Sequence, residues 1–120
     1  MNSEVLKNAG IDVEKGVTRF LGDRQLFENI LLTFLEDETF NKGKNALKKE
    51  DYKDLYECIH TLKGVAGNTD MTQLFRTTGV LCDYLRKNQT VEVKEVNSLF
   101  NEVEEAYHSV LAGIIAAREV

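Results

Sequence analysis

One predicted helix, DYKDLYECIHTLKGVAGNT over residues 51–69, carries the residues whose types and spacing could do chemistry. At about 100° per residue, its apolar side chains share one face, which is the face that packs into a core. These side chains are Leu55, Cys58, Ile59, Leu62, Val65 and Ala66. His60 falls on the opposite face, and Lys63, Gly64 and Gly67 lie within about 60° of it. We therefore expect an exposed histidine with a lysine and two glycines beside it.

The two glycines are unusual at these positions. Glycine inside an exposed helix costs about 0.5–1 kcal/mol relative to alanine. Neither Gly64 nor Gly67 lies on the predicted packing face, so contact with a neighbouring helix does not account for them. A helix C-cap could account for Gly67, but Gly64 lies too early in the helix for that role. We expect both glycines to allow another molecule to approach His60 closely.

Lys63 follows His60 by three residues, a spacing at which side chains are neighbours on a helix. An ammonium brings no benefit to a surface imidazole unless the ring carries a negatively charged adduct. A phosphoryl group on a ring nitrogen would place its oxygens within reach of Lys63. The His-x-x-Lys spacing is a weak motif by itself, but the segment HTLKGVAG, with its polar and glycine positions on one exposed face, is a strong one. Together they point to a phosphoryl group carried on His60.

Helices must position these residues, because the 120-residue chain has no proline and shows no sustained strand alternation. A short helix is predicted over residues 11–21 and ends at Gly22, and the next begins after the N-cap Asp23. This second helix breaks or kinks around residues 39–43. Further helices are predicted over 51–69 with Asp51 as N-cap, from an Asp70 or Thr72 cap to about Asn88, and from about Val93 to Ala117.

The length and the apolar stripes of these helices predict one domain over residues 1–120. We expect an all-α fold, an antiparallel up-down four-helix bundle, because the longer helices are amphipathic and their connections are short. A short additional N-terminal helix is expected to pack across one end of the bundle.

The charge balance excludes several classes of function. The chain has 15 basic and 20 acidic residues, a net charge of −5, whereas nucleic acid and anionic membranes require a clustered positive field. No apolar run approaches the roughly 18 residues of a membrane span, and the N-terminus does not resemble a signal peptide. Cys58 and Cys82 lie in apolar helical patterns and predict reduced core thiols. We expect a cytoplasmic monomer, and the Met1 start favours a free-standing chain.

The segment HTLKGVAG at residues 60–67 resembles the histidine-containing phosphotransfer (HPt) domain family of two-component phosphorelays. The family pattern is His-x-Leu-Lys-Gly with a further glycine three residues on. The resemblance extends to the lead-in helices from residue 10 to residue 34 and to the helix that follows the motif. The chain departs from the family at Asp70, where a glycine is frequent. It also departs at Cys82, where some members carry a glutamine that contacts the histidine.

The resemblance implies a relay. His60 would accept a phosphoryl group on Nε2 from an aspartate of one receiver domain and pass it to another. Lys63 would stabilise the phosphoryl oxygens, and Arg86 would add a second positive group. The implied partners are response-regulator receiver domains and a hybrid sensor kinase. Magnesium is expected on the receiver, so the chain is expected to need no cofactor or metal and to have no kinase activity of its own.

A docking surface is expected around His60. Tyr56 and Asn68 lie on or beside the histidine face of the helix, together with Gly64 and Gly67. Leu32 falls about 140° from the centre of the apolar stripe of its own helix and is expected to be a further exposed contact.

Two other interpretations stay open at this point. The chain could be a helical-bundle interaction or adaptor protein that is never phosphorylated. It could also be a metal-dependent enzyme, because ferritin-like bundles use Glu-x-x-His pairs on facing helices. The sequence contains two such pairs, Glu57 with His60 and Glu105 with His108. The first pair is predicted to point outward, which argues against a metal site in the core.

Overall fold

The structure, a computed structural model, describes residues 1–118, and seven α-helices form in this part of the chain. Their bounds are α1 Ser3–Asn8, α2 Val13–Arg19, α3 Arg24–Phe34, α4 Thr39–Lys48, α5 Tyr52–Asn68, α6 Thr72–Lys87 and α7 Val93–Arg118. The prediction of an all-α fold is confirmed. Residues 119 and 120 of the predicted domain lie outside the described residues.

Helices α4 to α7 form the bundle. Consecutive helices pack side by side, α4 on α5, α5 on α6 and α6 on α7, and short turns make these neighbours antiparallel. Phe40 of α4 closes the ring, because its side chain stacks on Tyr107 of α7 with ring centroids 4.1 Å apart. Lys44 Nζ also lies 2.7 Å from a carboxylate oxygen of Glu104.

The first helix of the bundle differs from the prediction. The predicted helix after Asp23 is two helices, and the break lies between Phe34 and Thr39 instead of at residues 39–43. An Asp37 carboxylate oxygen accepts a hydrogen bond from the Thr39 amide at 2.7 Å, at the first residue of α4. Gly43 lies inside α4, where a Cβ would be only 3.4 Å from Cys58 Cβ. This glycine is buried against α5 and does not interrupt the helix.

The N-terminal part contains two short helices before α3, one more than predicted. Helix α1 begins at the N-cap Asn2, whose side chain accepts a hydrogen bond from the Val5 amide at 3.1 Å. Leu6 is its single buried residue, and one apolar position is not enough to show a helical period in the sequence. Helix α1 packs against α7, where Gly113 faces Ala9 and has no room for a side chain.

The predicted caps are correct for two helices and wrong for a third. Asp23 and Asp51 each accept a hydrogen bond from an amide in the first turn of the following helix. Helix α6 has Met71 at its N-cap, with no side-chain hydrogen bond. Neither of the two expected caps acts as one: Thr72 donates its hydroxyl to the Gly10 carbonyl at 3.1 Å, and the Asp70 carboxylate accepts from Arg19. The Thr72 hydroxyl therefore binds the N-terminal segment and does not cap α6.

The turn between α5 and α6 is held by the N-terminal segment. Asp70 has φ +54, a left-handed conformation that is strained for a residue other than glycine. Its carboxylate accepts two hydrogen bonds from the Arg19 guanidinium at 3.0 and 3.1 Å, and its carbonyl accepts one from the Asp12 amide at 2.8 Å. The turn thus adopts a conformation suited to glycine, and contacts from distant residues stabilise it.

None of the helices formed by residues 1–118 combines the length and the apolar character that a membrane span requires.

Candidate functional site

His60 lies in the middle of α5 with its side chain exposed. The opposite face of α5 is buried, as predicted, through Leu55, Ile59, Leu62 and Ala66. The Tyr56 ring, one turn earlier, stacks on the imidazole with centroids 5.8 Å apart and planes 30° apart. Within residues 1–118 neither imidazole nitrogen is hydrogen-bonded to another residue. The ring is therefore oriented by a stacking contact and keeps both nitrogens free for other partners.

Lys63 lies half-buried across the surface of α6. Its ammonium is 5.6 Å from the centroid of the Phe75 ring, within the range of a cation–π contact. Its stem passes Gly79, where a Cβ would be 3.7 Å from Lys63 Cε. No carboxylate in the described part of the chain forms an ion pair with Lys63. The positive charge of Lys63, one helical turn after His60, is therefore not neutralised by a neighbouring carboxylate in this part of the chain.

The two glycines of α5 have different surroundings. Nothing lies within 4 Å of a Cβ placed on Gly64, so this position is open to solvent as predicted. A Cβ on Gly67 would be 3.0 and 3.1 Å from two ring carbons of Phe75. The expectation that Gly67 has no contact with a neighbouring helix is therefore wrong. An aromatic side chain of α6 fills the space that its missing side chain leaves.

Cys82 and Arg86 lie one turn apart on α6. Burial raises the pKa of the Cys82 thiol, and the nearby Lys63 charge opposes this effect. Cys82 is 2% exposed, in agreement with the predicted core thiol, whereas Cys58 is only half-buried. Arg86 is exposed and pairs with Asp83 at 2.7 Å, so part of its charge is compensated within the helix.

Asn68 is exposed at the last residue of α5. Leu32 lies on α3, and the expectation that it is exposed is wrong, because its side chain is half-buried against the core. The contacts of His60 and Lys63 lie on α5 and α6, and Leu32 takes no part in them.

A groove of about 560 Å³ runs between α5 and the end of α6, next to Tyr56. Its lining combines aromatic and aliphatic side chains, of Tyr52, Tyr56, Leu85 and Val91, with charged and amide side chains that include Arg86. Because Tyr56 also stacks on His60, the groove is continuous with the histidine face. Of this set, Tyr56 and Arg86 were candidate site residues from the sequence, and the others were not.

The two Glu-x-x-His pairs do not face one another across the core. All four side chains, of Glu57, His60, Glu105 and His108, are exposed. Among the residues described, no three His, Cys, Asp or Glu side chains are grouped closely enough to hold a metal ion.

Phe75 and Gly79 contact Lys63 but were not among the site residues predicted from the sequence. Phe75 is 45% exposed, unusual for a side chain of its size, and lies off the buried seam of Leu74 and Leu81. Gly79 is a glycine in the interior of a helix, the same signal that singled out Gly64. Both signals are visible in the sequence, but the contact of both residues with Lys63 depends on how α6 faces α5.

The family model described as "Hpt domain" matches residues 30–113. The chain therefore belongs to the Hpt domain family. Neither a curated protein nor a solved structure matches the chain. The family match begins within α3, so α1 and α2 precede it.

Membership of the family implies histidine phosphotransfer in two-component phosphorelays and interaction with receiver domains or histidine kinases. Hpt domains are phosphotransfer intermediates and not kinases. The predictions of a cytoplasmic monomer and of a single domain over residues 1–120 stay predictions.

Proposed function

We propose that the protein relays a phosphoryl group from an aspartyl phosphate of one receiver domain to an aspartate of another, with His60 as the carrier. The observation that supports this most directly is the geometry at His60. An exposed imidazole with both nitrogens free lies one helical turn from an ammonium that no carboxylate among residues 1–118 neutralises. A group transferred between two proteins requires such an accessible nucleophile.

The transfer step balances without a further reactant. The lone pair of neutral His60, on Nε2 by family resemblance, attacks the phosphorus of the aspartyl phosphate. The N–P bond forms as the bond from phosphorus to the carboxylate oxygen breaks, and the aspartate leaves with that electron pair. The Nδ1 proton stays on the ring, which carries the resulting positive charge. Delivery to the second receiver is the same step in reverse.

Lys63 stabilises the charge on the transferring group. Such transfers have loose transition states with charge spread over the phosphoryl oxygens, so positioning and electrostatics supply most of the catalysis. Lys63 provides the positive charge from this chain, and Arg86, which is partly compensated by Asp83, is a secondary contributor. The receiver supplies magnesium, and the chain needs no cofactor and no kinase activity of its own.

The partner docks over the exposed face of α5. Gly64 leaves space beside the imidazole for the loops of the receiver, because nothing occupies the position of its missing side chain. Tyr56 and Asn68 border this face, and the groove beside Tyr56 extends it towards the end of α6. Receiver domains and a hybrid sensor kinase are the partners that fit this arrangement.

The test is transfer of radiolabel from a phosphorylated receiver domain of the same host. We expect the wild-type chain to take up an acid-labile, base-stable label and His60→Gln to take up none. His108→Gln is the matched control, because His108 is the other histidine and is also exposed. This variant should be labelled like the wild type.

Label that persists in His60→Gln would overturn the proposal. A wild-type chain that binds receivers but takes up no label from any of them would identify an adaptor instead.

A further inference from the structure

Phe75 is an exposed aromatic side chain for which the proposed function gives no role. It lies on α6 and is 45% exposed. An aromatic side chain has about 150–250 Å² of surface, so roughly 90 Å² of this one remains in water. Single exposed apolar residues are common on protein surfaces. What this ring does therefore depends on where it lies.

The ring lies on the same side of the molecule as His60. Gly67 follows His60 by seven residues on α5, so the two positions face within about 20° of each other and are about 10 Å apart along the helix axis. A Cβ on Gly67 would be 3.0 and 3.1 Å from two carbons of the Phe75 ring. The ring therefore borders the exposed face of α5, two helical turns beyond the imidazole.

A partner that reaches His60 also covers this ring. Even a transient complex that buries about 1,200 Å² in total covers about 600 Å² of each partner, which is a patch about 14 Å in radius. A patch of this size centred on His60 includes the position over Gly67. Phe75 thus lies inside the area that a receiver domain occupies when its aspartyl phosphate meets the imidazole.

The ring is held in place before any partner arrives. Its edge rests over Gly67, and the Lys63 ammonium lies 5.6 Å from its centroid. A side chain that is already fixed loses little conformational entropy on binding, and aromatic anchors of this kind supply much of the affinity of protein interfaces. No carboxylate among residues 1–118 forms an ion pair with Lys63. The patch suits a partner that presents an apolar side chain to the ring and negative charge beside it.

We infer that Phe75 is a docking residue for the receiver domain that exchanges a phosphoryl group with His60. Its ring packs on an apolar side chain of the receiver and sets the affinity of the complex, and it takes no part in the chemical step. This inference rests on the proposed function for the identity of the partner.

Binding is tested by calorimetry with an unphosphorylated receiver domain of the same host that binds the wild-type chain. We expect Phe75→Ala to raise Kd about ten-fold, because the truncation removes roughly 60 Å² of apolar contact. Phe75→Tyr keeps the ring and should bind like the wild type. Val80→Ala is the control, because Val80 is also exposed on α6 but lies about 140° from Phe75 around the helix, and its Kd should not change.

Phosphoramidate, a small phosphoryl donor that needs no docked partner, separates docking from chemistry. Phe75→Ala should be labelled on His60 at the wild-type rate, whereas its transfer from a phosphorylated receiver should show a raised KM at unchanged kcat. Phe75→Gln keeps side-chain carbons over Gly67 and is the second variant, in case Phe75→Ala loses helicity by circular dichroism. An unchanged Kd in both variants, or equally slow labelling by phosphoramidate and by the receiver, would overturn the inference.

Two further outcomes distinguish the inference from its alternatives. If Phe75→Ala abolished self-association in sedimentation and left the receiver Kd unchanged, the ring would bind a second copy of the chain, and the inference would be wrong. Failure of the proposed function looks different. The wild-type chain would then take no label on His60 from either donor, while Phe75→Ala would still weaken receiver binding and so support the docking role.

Discussion

The exposed face of α5 and the turn that follows this helix are built in opposite ways. The His60 face, comprising Tyr56, His60, Lys63 and Gly64, has an exposed imidazole and an open glycine position. The α5–α6 turn, comprising residues 69–71, is buried and is held by hydrogen bonds from Arg19 and Asp12. The first region leaves its polar atoms free for a partner, and the second uses its polar atoms within the chain.

The difference shows how an open site can still be well positioned. The polar contacts that stabilise the turn come from a distant part of the chain, and none of them involves the His60 face. The residues that hold the turn, Asp12 and Arg19, precede the part of the chain that matches the Hpt family. The N-terminal helices therefore stabilise the α5–α6 turn and leave the His60 face clear.

The largest expected effect comes from filling the open position. Gly64→Leu should slow transfer from a phosphorylated receiver about 100-fold, because a bulky side chain would hold the receiver away from the imidazole. The free energy of unfolding should not fall, since nothing lies within 4 Å of the new Cβ and replacing a helical glycine gains about 0.5–1 kcal/mol. Transfer kinetics and urea unfolding measure the two effects separately.

Ser98→Leu, at an exposed position on α7, is the control for a new apolar side chain and should leave transfer unchanged. If Gly64→Leu transferred at the wild-type rate, the His60 face would not be the surface that partners approach.

The second prediction concerns the α5–α6 turn, where we expect substitutions to lower stability and to leave transfer nearly unchanged. Asp70→Ala removes both hydrogen bonds to Arg19 and keeps a Cβ at φ +54, so Tm should fall by about 5 °C. Asp70→Gly loses the same hydrogen bonds but relieves the left-handed strain, and it should be about 1 kcal/mol more stable than Asp70→Ala. Thermal and chemical denaturation give both values.

Both Asp70 variants should transfer phosphate at nearly the wild-type rate when they are assayed well below Tm. A large loss of transfer in folded Asp70→Gly would show that the turn takes part in the reaction and that the two regions are not separate in function.

The smallest expected effect concerns Cys82, a buried thiol of α6 that lies close to Lys63 of the His60 face. Burial raises the pKa of this thiol above its ordinary value of 9.0, so the folded chain keeps the proton longer than the unfolded chain. As the pH rises past 9.0, the unfolded state binds fewer protons, and the free energy of unfolding should decrease. Tyr107, whose pKa burial also raises above 10.0, adds to the same trend.

Denaturation in urea from about pH 8 to pH 10 measures this decrease. Cys82→Ala should make the decrease shallower. If the free energy of unfolding fell equally steeply with pH in the wild type and the variant, burial would not raise the pKa of the Cys82 thiol.

Much of the fold and of the candidate site was predictable from local patterns. The 3.6-residue period of α5 places His60 opposite Leu55 and Leu62 whatever the rest of the fold does. The Asp23 and Asp51 caps act within one turn of their own helices. The division between α3 and α4 was not predictable, because Gly43 is a helix breaker by propensity. Its position inside α4 is set by the burial of this part of the helix against α5, which involves residues distant in the sequence.

The sequence by itself determined the all-α class, the exposed face of α5 and the set of His60, Lys63 and Gly64 on it, because these follow from spacing along a single helix. Only the tertiary structure decided that Gly67 receives the ring of Phe75, that Lys63 lies on that ring, and that Arg19 holds Asp70. These contacts join residues on different helices. They depend on how each helix is rotated and placed against its neighbour, which packing of the whole core determines.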